Sequence, residues 1–376
     1  MQAGRFFLSA AVAAAAAATG TAVLAAVVAH RVIHPQRAKP TQILAVDGDH
    51  VVLSSTPLTR TAGVIGLLHD DERHLAVLQP NSPEHVSDGN VRRTLRAPAP
   101  AGLRTGPGRA IGNVFGSPEE LGQAVHEVAL ATDLGPAPAW VIGPESGDTW
   151  LIHLHGSLSG REGALRSVVA ASAAGLPSLV PSFRGDGEGP STPRGAFTLG
   201  QTEWRDIESA LDYAVAHGAQ RIVILGWSNG ASMALRLATS SQHRDAIAGI
   251  VAISPVLDWA STIRLGIKTS RLPRAVAAVA LWALQHRLTS ALLGAPEPLR
   301  FAELKWTEPP VPVLLLHSAG DQTTPYSASL RFKDRSPDRV TLPELPTVPH
   351  ALEWNADPAR FAELLTNWLT TLLPTR

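Results

Sequence analysis

An α/β fold, a mostly parallel central sheet covered by helices, is what residues 125–376 predict. Two observations carry the prediction. Short apolar runs alternate with segments of helical periodicity, and one strand-to-helix junction holds a serine bracketed by glycines. Strands apolar on both faces belong in a sheet covered on both sides, and strand–helix alternation makes that sheet largely parallel.

The elements follow in order. Trp150-Leu151-Ile152-His153-Leu154-His155 is an apolar run ending at a glycine, and Arg161 to Ala173 reads as a helix. Pro177-Ser178-Leu179-Val180 is the next strand. Trp204, Ile207, Leu211, Ala214 and Val215 recur at helical spacing. Arg221 to Leu225 is a β-branched strand, with Met233, Leu235 and Leu237 in the helix behind it. Ile247–Ile253 and Val311–Leu316 supply further strands, and Phe361, Leu364, Leu365, Trp368, Leu369 and Leu372 form one face of a closing helix. Between Trp259 and Trp306 the alternation stops. A helical insertion at about 260–306 is expected there, as a cap over the site or as plain packing.

Residues 35–124 are rich in Gly, Pro and short β-branched runs and predict a small β-rich N-terminal region. Gln42-Ile43-Leu44-Ala45-Val46 and His50-Val51-Val52-Leu53, joined at Asp47-Gly48-Asp49, read as a hairpin. Phe6 to Ala29 is uncharged and mostly Ala, Val and Leu. A secretory signal's apolar region runs about 7 to 15 residues, whereas a spanning helix needs roughly 20. Residues 1–34 are therefore read as a single-helix membrane anchor. The alternative is a cleaved signal, with its site at Val27-Val28-Ala29, and secretion. Arg31, Arg37 and Lys39 against Arg5 give a slight positive excess after the segment, which favours a cytoplasmic catalytic domain and leaves the side of the membrane open.

Composition excludes several classes. Lys plus Arg equals Asp plus Glu at 32 each, and without a basic run nucleic acid is not an expected partner. With no cysteine there is no disulfide, Cys-ligated zinc or thiol nucleophile. Neither a metal cluster nor a dinucleotide fingerprint stands out, so a cofactor-free site is expected.

Gly226-Trp227-Ser228-Asn229-Gly230 fits G-x-S-x-G and joins the Arg221–Leu225 strand directly to a helical run. That strand–turn–helix setting is what a nucleophile elbow requires. Glycines flank the serine because side chains there would clash with the neighbouring strand and helix. A lone serine is a poor nucleophile, so an acid and a base should follow in the order Ser, Asp, His. Asp321 lies in the loop after the Val313–Leu316 strand, where catalytic loops of parallel sheets gather. His350 sits just before the last helix. Asp258 is the alternative acid, and His317 the alternative base or a support for the Asp321 loop. His155-Gly156-Ser157-Leu158 follows the first central strand, so the backbone N–H groups of Ser157 and Asn229 are the expected oxyanion donors. His155 is read as structural.

At these residues the chain resembles a group of actinobacterial α/β-hydrolases with an N-terminal membrane segment, related to the serine aminopeptidase-like and prolyl-oligopeptidase-like hydrolases. The similar stretches are His155-Gly156 with Arg161, Phe183 to Glu188, Leu199-Gly200 with Thr202 to Asp206, Gly226-Trp227-Ser228, Ser254 to Trp259, and His350 with Trp354-Asn355. Asn229-Gly230-Ala231 stands where the group has Met-Gly-Gly, and Phe183 and Gly185 where Tyr and Asn are expected. The resemblance implies an α/β-hydrolase fold with Ser228 as nucleophile and says little of the substrate, because the superfold hosts many chemistries. A small-molecule or lipid-like carboxylic ester or thioester is expected, since the segment before residue 125 could hold only about two propeller blades at roughly 40 to 45 residues each and an apolar cap and membrane segment suit an apolar ester. A serine peptidase is the alternative. A third reading is a non-catalytic, membrane-anchored binding protein. The sequence leaves the oligomeric state open.

Overall fold

The computed structural model describes residues 2–36, 40–80, 83–96, 100 and 102–373, and the side chains of the first helix from Ala18. That helix, α1 (Gln2–Ile33), precedes seven short strands: β1 (Thr41–Asp47), β2 (His50–Leu53), β3 (Ile65–His69), β4 (His74–Leu78), β5 (Glu84–His85), β6 (Val91–Thr94) and β7 (Gly106–Ile111). They form one antiparallel sheet in the order β4-β3-β7-β1-β2-β6-β5. A bridge from Leu78 to Leu95 brings the two sides of the sheet together. Its inner face packs Ile43, Val51, Leu53, Ile65, Leu67 and Val91 into a core of its own. The β1–β2 turn closes Asp47 on His50, with Gly48 at φ 58°, a left-handed conformation that favours glycine.

The second sheet holds eight strands: β8 (Val125–Thr132), β9 (Gly135–Ile142), β10 (Thr149–Leu154), β11 (Ser178–Pro181), β12 (Arg221–Trp227), β13 (Ile247–Ile253), β14 (Val313–Leu316) and β15 (Val340–Thr341). The spatial order is β15-β14-β13-β12-β10-β11-β9-β8. From β11 to β15 every pairing is parallel, and β9 and β8 add an antiparallel hairpin at the edge. The interleaved helices are α2 (Leu165–Ala171), α3 (Trp204–Ala216), α4 (Asn229–Ser240), the insertion α5 (Trp259–Thr269), α6 (Arg274–Gln285) and α7 (Arg287–Leu293), then α8 (Tyr326–Arg335), α9 (Glu353–Ala356) and α10 (Pro358–Leu372). Every residue of β10 and β14 is buried, as expected for strands covered on both faces. The helix read over Arg161–Ala173 is a 3₁₀ turn, α2, and a second 3₁₀ turn.

The last part of α1 packs against α6, and Ala25, Ala29 and Ile33 are buried at helical spacing in the main core. Among the described residues no single helix is long and apolar enough to cross a membrane; the apolar stretch is Ala18–Ile33.

The two sheets are joined beside the catalytic loops. Asn355 Nδ2 donates to the carbonyls of Val64 (2.6 Å) and Gly112 (2.7 Å), and its own carbonyl accepts from the Val64 amide at 2.9 Å. A Cβ on Gly63 would lie 2.1 Å from the Asn355 carbonyl oxygen, so the approach requires glycine.

Candidate active site

β12 delivers the chain into a turn where Ser228 takes φ 51° and ψ −111°, and α4 begins at the next residue. This backbone is strained for a residue with a Cβ, and it lifts the Oγ clear of the sheet. The flanking glycines are steric necessities. A Cβ on Gly226 would sit 2.5 Å from the Ala231 amide nitrogen, and one on Gly230 would sit 2.7 Å from the carbonyl oxygens of both Leu154 and His155. These neighbours are backbone and cannot swing away. Gly230→Ala is therefore expected to cost about 3 kcal/mol of stability through overpacking, seen as a lowered denaturation midpoint and Tm. A midpoint equal to wild type would contradict the steric reading.

The structure brings Ser228, His350 and Asp321 together from three separate loops. His350 Nε2 lies 3.0 Å from Ser228 Oγ, and His350 Nδ1 lies 2.6 Å from Asp321 Oδ2. The Asp321 carboxylate is buried and fully engaged. Oδ1 accepts from the amides of Thr323 (2.7 Å) and Thr324 (2.9 Å); Oδ2 also accepts from Thr324 Oγ1 (2.7 Å) and His317 Nε2 (3.1 Å). Burial alone would raise its pKa. The hydrogen bonds from His317, His350 and Thr324 outweigh that and hold it well below the usual carboxylate range.

His317 thus supports the acid from behind and does not face Ser228, while its Nδ1 lies 2.7 Å from Ser329 Oγ. Asp258, the alternative acid, caps α5 instead: it accepts from the Ser261 amide and hydroxyl, both at 2.9 Å. That leaves Asp321 as the carboxylate on His350.

Opposite the histidine, Gly156 packs so close that a Cβ would meet Ser228 Cβ at 3.3 Å. The next residue, Ser157, carries a buried Oγ that has no hydrogen-bond partner among the described residues. Asn229 is the first residue of α4, and the first amides of a helix have no intrahelical acceptor. His155 holds this loop from below. It stacks on Phe183 at 4.3 Å, and its nitrogens bond the Gly156 carbonyl (2.9 Å) and Asp186 Oδ2 (3.1 Å). Asp186 in turn accepts from Ser182 Oγ and from the amides of Phe183, Glu188 and Gly189.

A support network escaped sequence reasoning. Arg166 Nη1 donates to the Ala351 carbonyl and to Asn355 Oδ1, each at 2.6 Å, and its guanidinium lies 3.9 Å from the centre of the Trp227 ring. Glu353, fully buried, accepts from Ser254 Oγ (2.5 Å) and the Ser318 amide (3.1 Å), while Ser254 Oγ accepts from the Ala351 amide (2.9 Å). Burial raises the Glu353 pKa against these bonds. Ala351 and Ser254 both sit at positive φ, 58° and 45°, so the histidine loop is held in a strained turn by its neighbours. The signal available in the sequence was Trp354-Asn355, present as a similarity but without a partner to read it against.

Fold and site together define an α/β-hydrolase of the serine-hydrolase kind. Residues 166–350 match the model of the prolyl oligopeptidase family. Among solved structures the chain is similar to the esterase Pf2001 of Pyrococcus furiosus, at 19% identity and a TM-score of 0.53, over 69% of this chain and 97% of that one. A second crystal form of that esterase gives 19% and 0.52, over 69% and 95%. The α/β hydrolase domain-containing protein 10 from mouse is similar at 16% identity and a TM-score of 0.49, over 66% and 100%. No curated protein matches the chain. At these identities the likeness to solved structures is one of fold.

Proposed function

We propose that the protein hydrolyses carboxylic esters through an acyl-enzyme on Ser228. The observation that carries the reading is the continuous hydrogen-bonded line from Ser228 Oγ through His350 to Asp321. In the first step His350 Nε2 takes the hydroxyl proton as Oγ bonds to the carbonyl carbon, while the Ser157 and Asn229 amides receive the oxyanion. His350 then returns the proton to the leaving oxygen as its bond to carbon breaks. Water, deprotonated by the same histidine, releases the acid and restores the serine. Asp321 keeps the proton on Nδ1, so that Nε2 is free to accept, and stabilises the imidazolium.

The match to prolyl oligopeptidases makes peptide hydrolysis the second reading. Esters are favoured because Glu188, which borders one of the cavities at Ser157, is already paired with Arg161 at 2.5 Å and so is not free to hold a peptide amine. In addition, the seven-stranded N-terminal sheet closes on itself as one small body, where propeller blades are four-stranded and repeat. Comparing kcat/KM for p-nitrophenyl esters with that for aminoacyl p-nitroanilides tests the choice. Esters are expected to be faster by about a hundredfold or more, since a difference of about 2.7 kcal/mol in barrier is modest between the two bonds. Faster anilide cleavage would reverse the assignment.

A further inference from the structure

Three cavities meet at Ser157, and they differ in character. The first, about 800 Å³, lies against the N-terminal sheet and is bordered by His350 together with Asp71, Glu72, Arg73, Arg109 and Glu162. The second, about 600 Å³, is edged by His30, His34, Glu162, Asp186 and Glu188. The third, about 550 Å³, runs between α5 and the last turns of α1, walled by Val28, Val32, Phe197, Leu199, Ile263 and Ile267. Ser157 borders it, as do Gln322 and Thr323, which follow Asp321.

The general acid decides which half of an ester goes where. His350 must protonate the departing oxygen, so the alcohol belongs in the cavity that His350 borders, and that one is charged. The acyl half then falls to a cavity at Ser157 that His350 does not border; of the two, the second is edged by charged side chains and the third is apolar-walled. Its volume falls within the range of small-molecule sites, roughly 300 to 1,000 Å³. Gly266, inside α5, borders it; a Cβ at that position would meet nothing within 4 Å. A glycine inside a helix weakens it relative to alanine, and here it widens the trough.

We propose that this third cavity binds the acyl chain, that the substrates are esters of medium-length fatty acids, and that the N-terminal helix is one wall of the substrate site. The proposal rests on the ester-hydrolase reading above and specifies its substrate class. α1 is therefore part of the enzyme's specificity, through Val28 and Val32, whatever else the N-terminal run does.

The test is kcat/KM for p-nitrophenyl acetate, butyrate, hexanoate and octanoate in the full-length protein, in Gly266→Trp and in Val28→Trp. Burying a methylene is worth about fourfold in kcat/KM. The wild type should therefore favour octanoate over acetate by on the order of a hundredfold or more. Each tryptophan should cut that ratio at least tenfold, one from the α5 side and one from the α1 side, with Tm read alongside. A wild-type ratio near one overturns the proposal even if either variant fails to fold. So does an unchanged ratio in both folded variants. A protein that turns over no ester of any length, and takes no fluorophosphonate on Ser228, overturns the hydrolase reading instead.

Discussion

Replacing Ser228 with alanine should lower kcat on a p-nitrophenyl ester by about five to six orders of magnitude, with little change in Tm. The size follows from the geometry. The only oxygen within hydrogen-bond reach of His350 Nε2 among the described residues is Ser228 Oγ, so its loss leaves the base with nothing to activate except stray water. The oxyanion donors survive in the variant and account for the residual rate. The substitution removes one hydroxyl from a backbone already held by Ser228 N to Ile253 O at 2.8 Å and by the two glycine contacts. The elbow should therefore persist, and KM should move far less than kcat. Retention of more than about one percent of the wild-type kcat would mean that another group attacks.

The second largest effect is expected for Asp321→Asn, at about ten-thousandfold in kcat. Three donors, from His350, His317 and Thr324, converge on Asp321 Oδ2. An amide has one acceptor oxygen and one donor nitrogen. If the nitrogen faces His350, Nδ1 must accept, the proton moves to Nε2, and the base can no longer take a proton from serine. If the oxygen faces His350, the amide nitrogen points at the amides of Thr323 and Thr324, donor against donor. The variant also reports on stability. A carboxyl held well below its unfolded value contributes stability that is fully present above the unfolded pKa and is lost as pH falls through the folded one. Wild type should thus lose more stability than Asp321→Asn between about pH 5 and pH 3. Equal acid sensitivity of the two proteins would show that Asp321 is not stabilised as described.

Local rules made part of this legible in the sequence. The elbow is written in consecutive residues, because a strand, a strained serine and a helix must follow one another without a gap and the glycines are needed within that span. Asp321 and His350 could be singled out because each lies at a strand end or just before a helix, on the edge of the sheet where loops gather. What the sequence did not disclose is long-range. Arg166 reaches Ala351 and Asn355, and Asn355 reaches Val64 and Gly112. No periodicity links such positions, and each residue alone reads as an ordinary polar side chain. The packed face of the N-terminal helix was obscured for a different reason. The stripe Ala25, Ala29, Ile33 that faces the core is no more apolar than the exposed Val23, Leu24 and Val27, so hydropathy does not single it out. Only the partner helix α6 distinguishes the two faces. The departure at Asn229 also has a visible place now: its side chain is buried beside Gly200, and both of its polar atoms lack partners.

The most direct measurement is covalent labelling of the full-length protein with a fluorophosphonate, read by intact mass and by peptide mapping. A nucleophile activated through His350 and Asp321 takes up one phosphonyl group per chain, on Ser228, and His350→Gln slows that uptake by several orders of magnitude. An unmodified wild-type protein, or an adduct mapped to Ser157 or Ser254, would contradict the account.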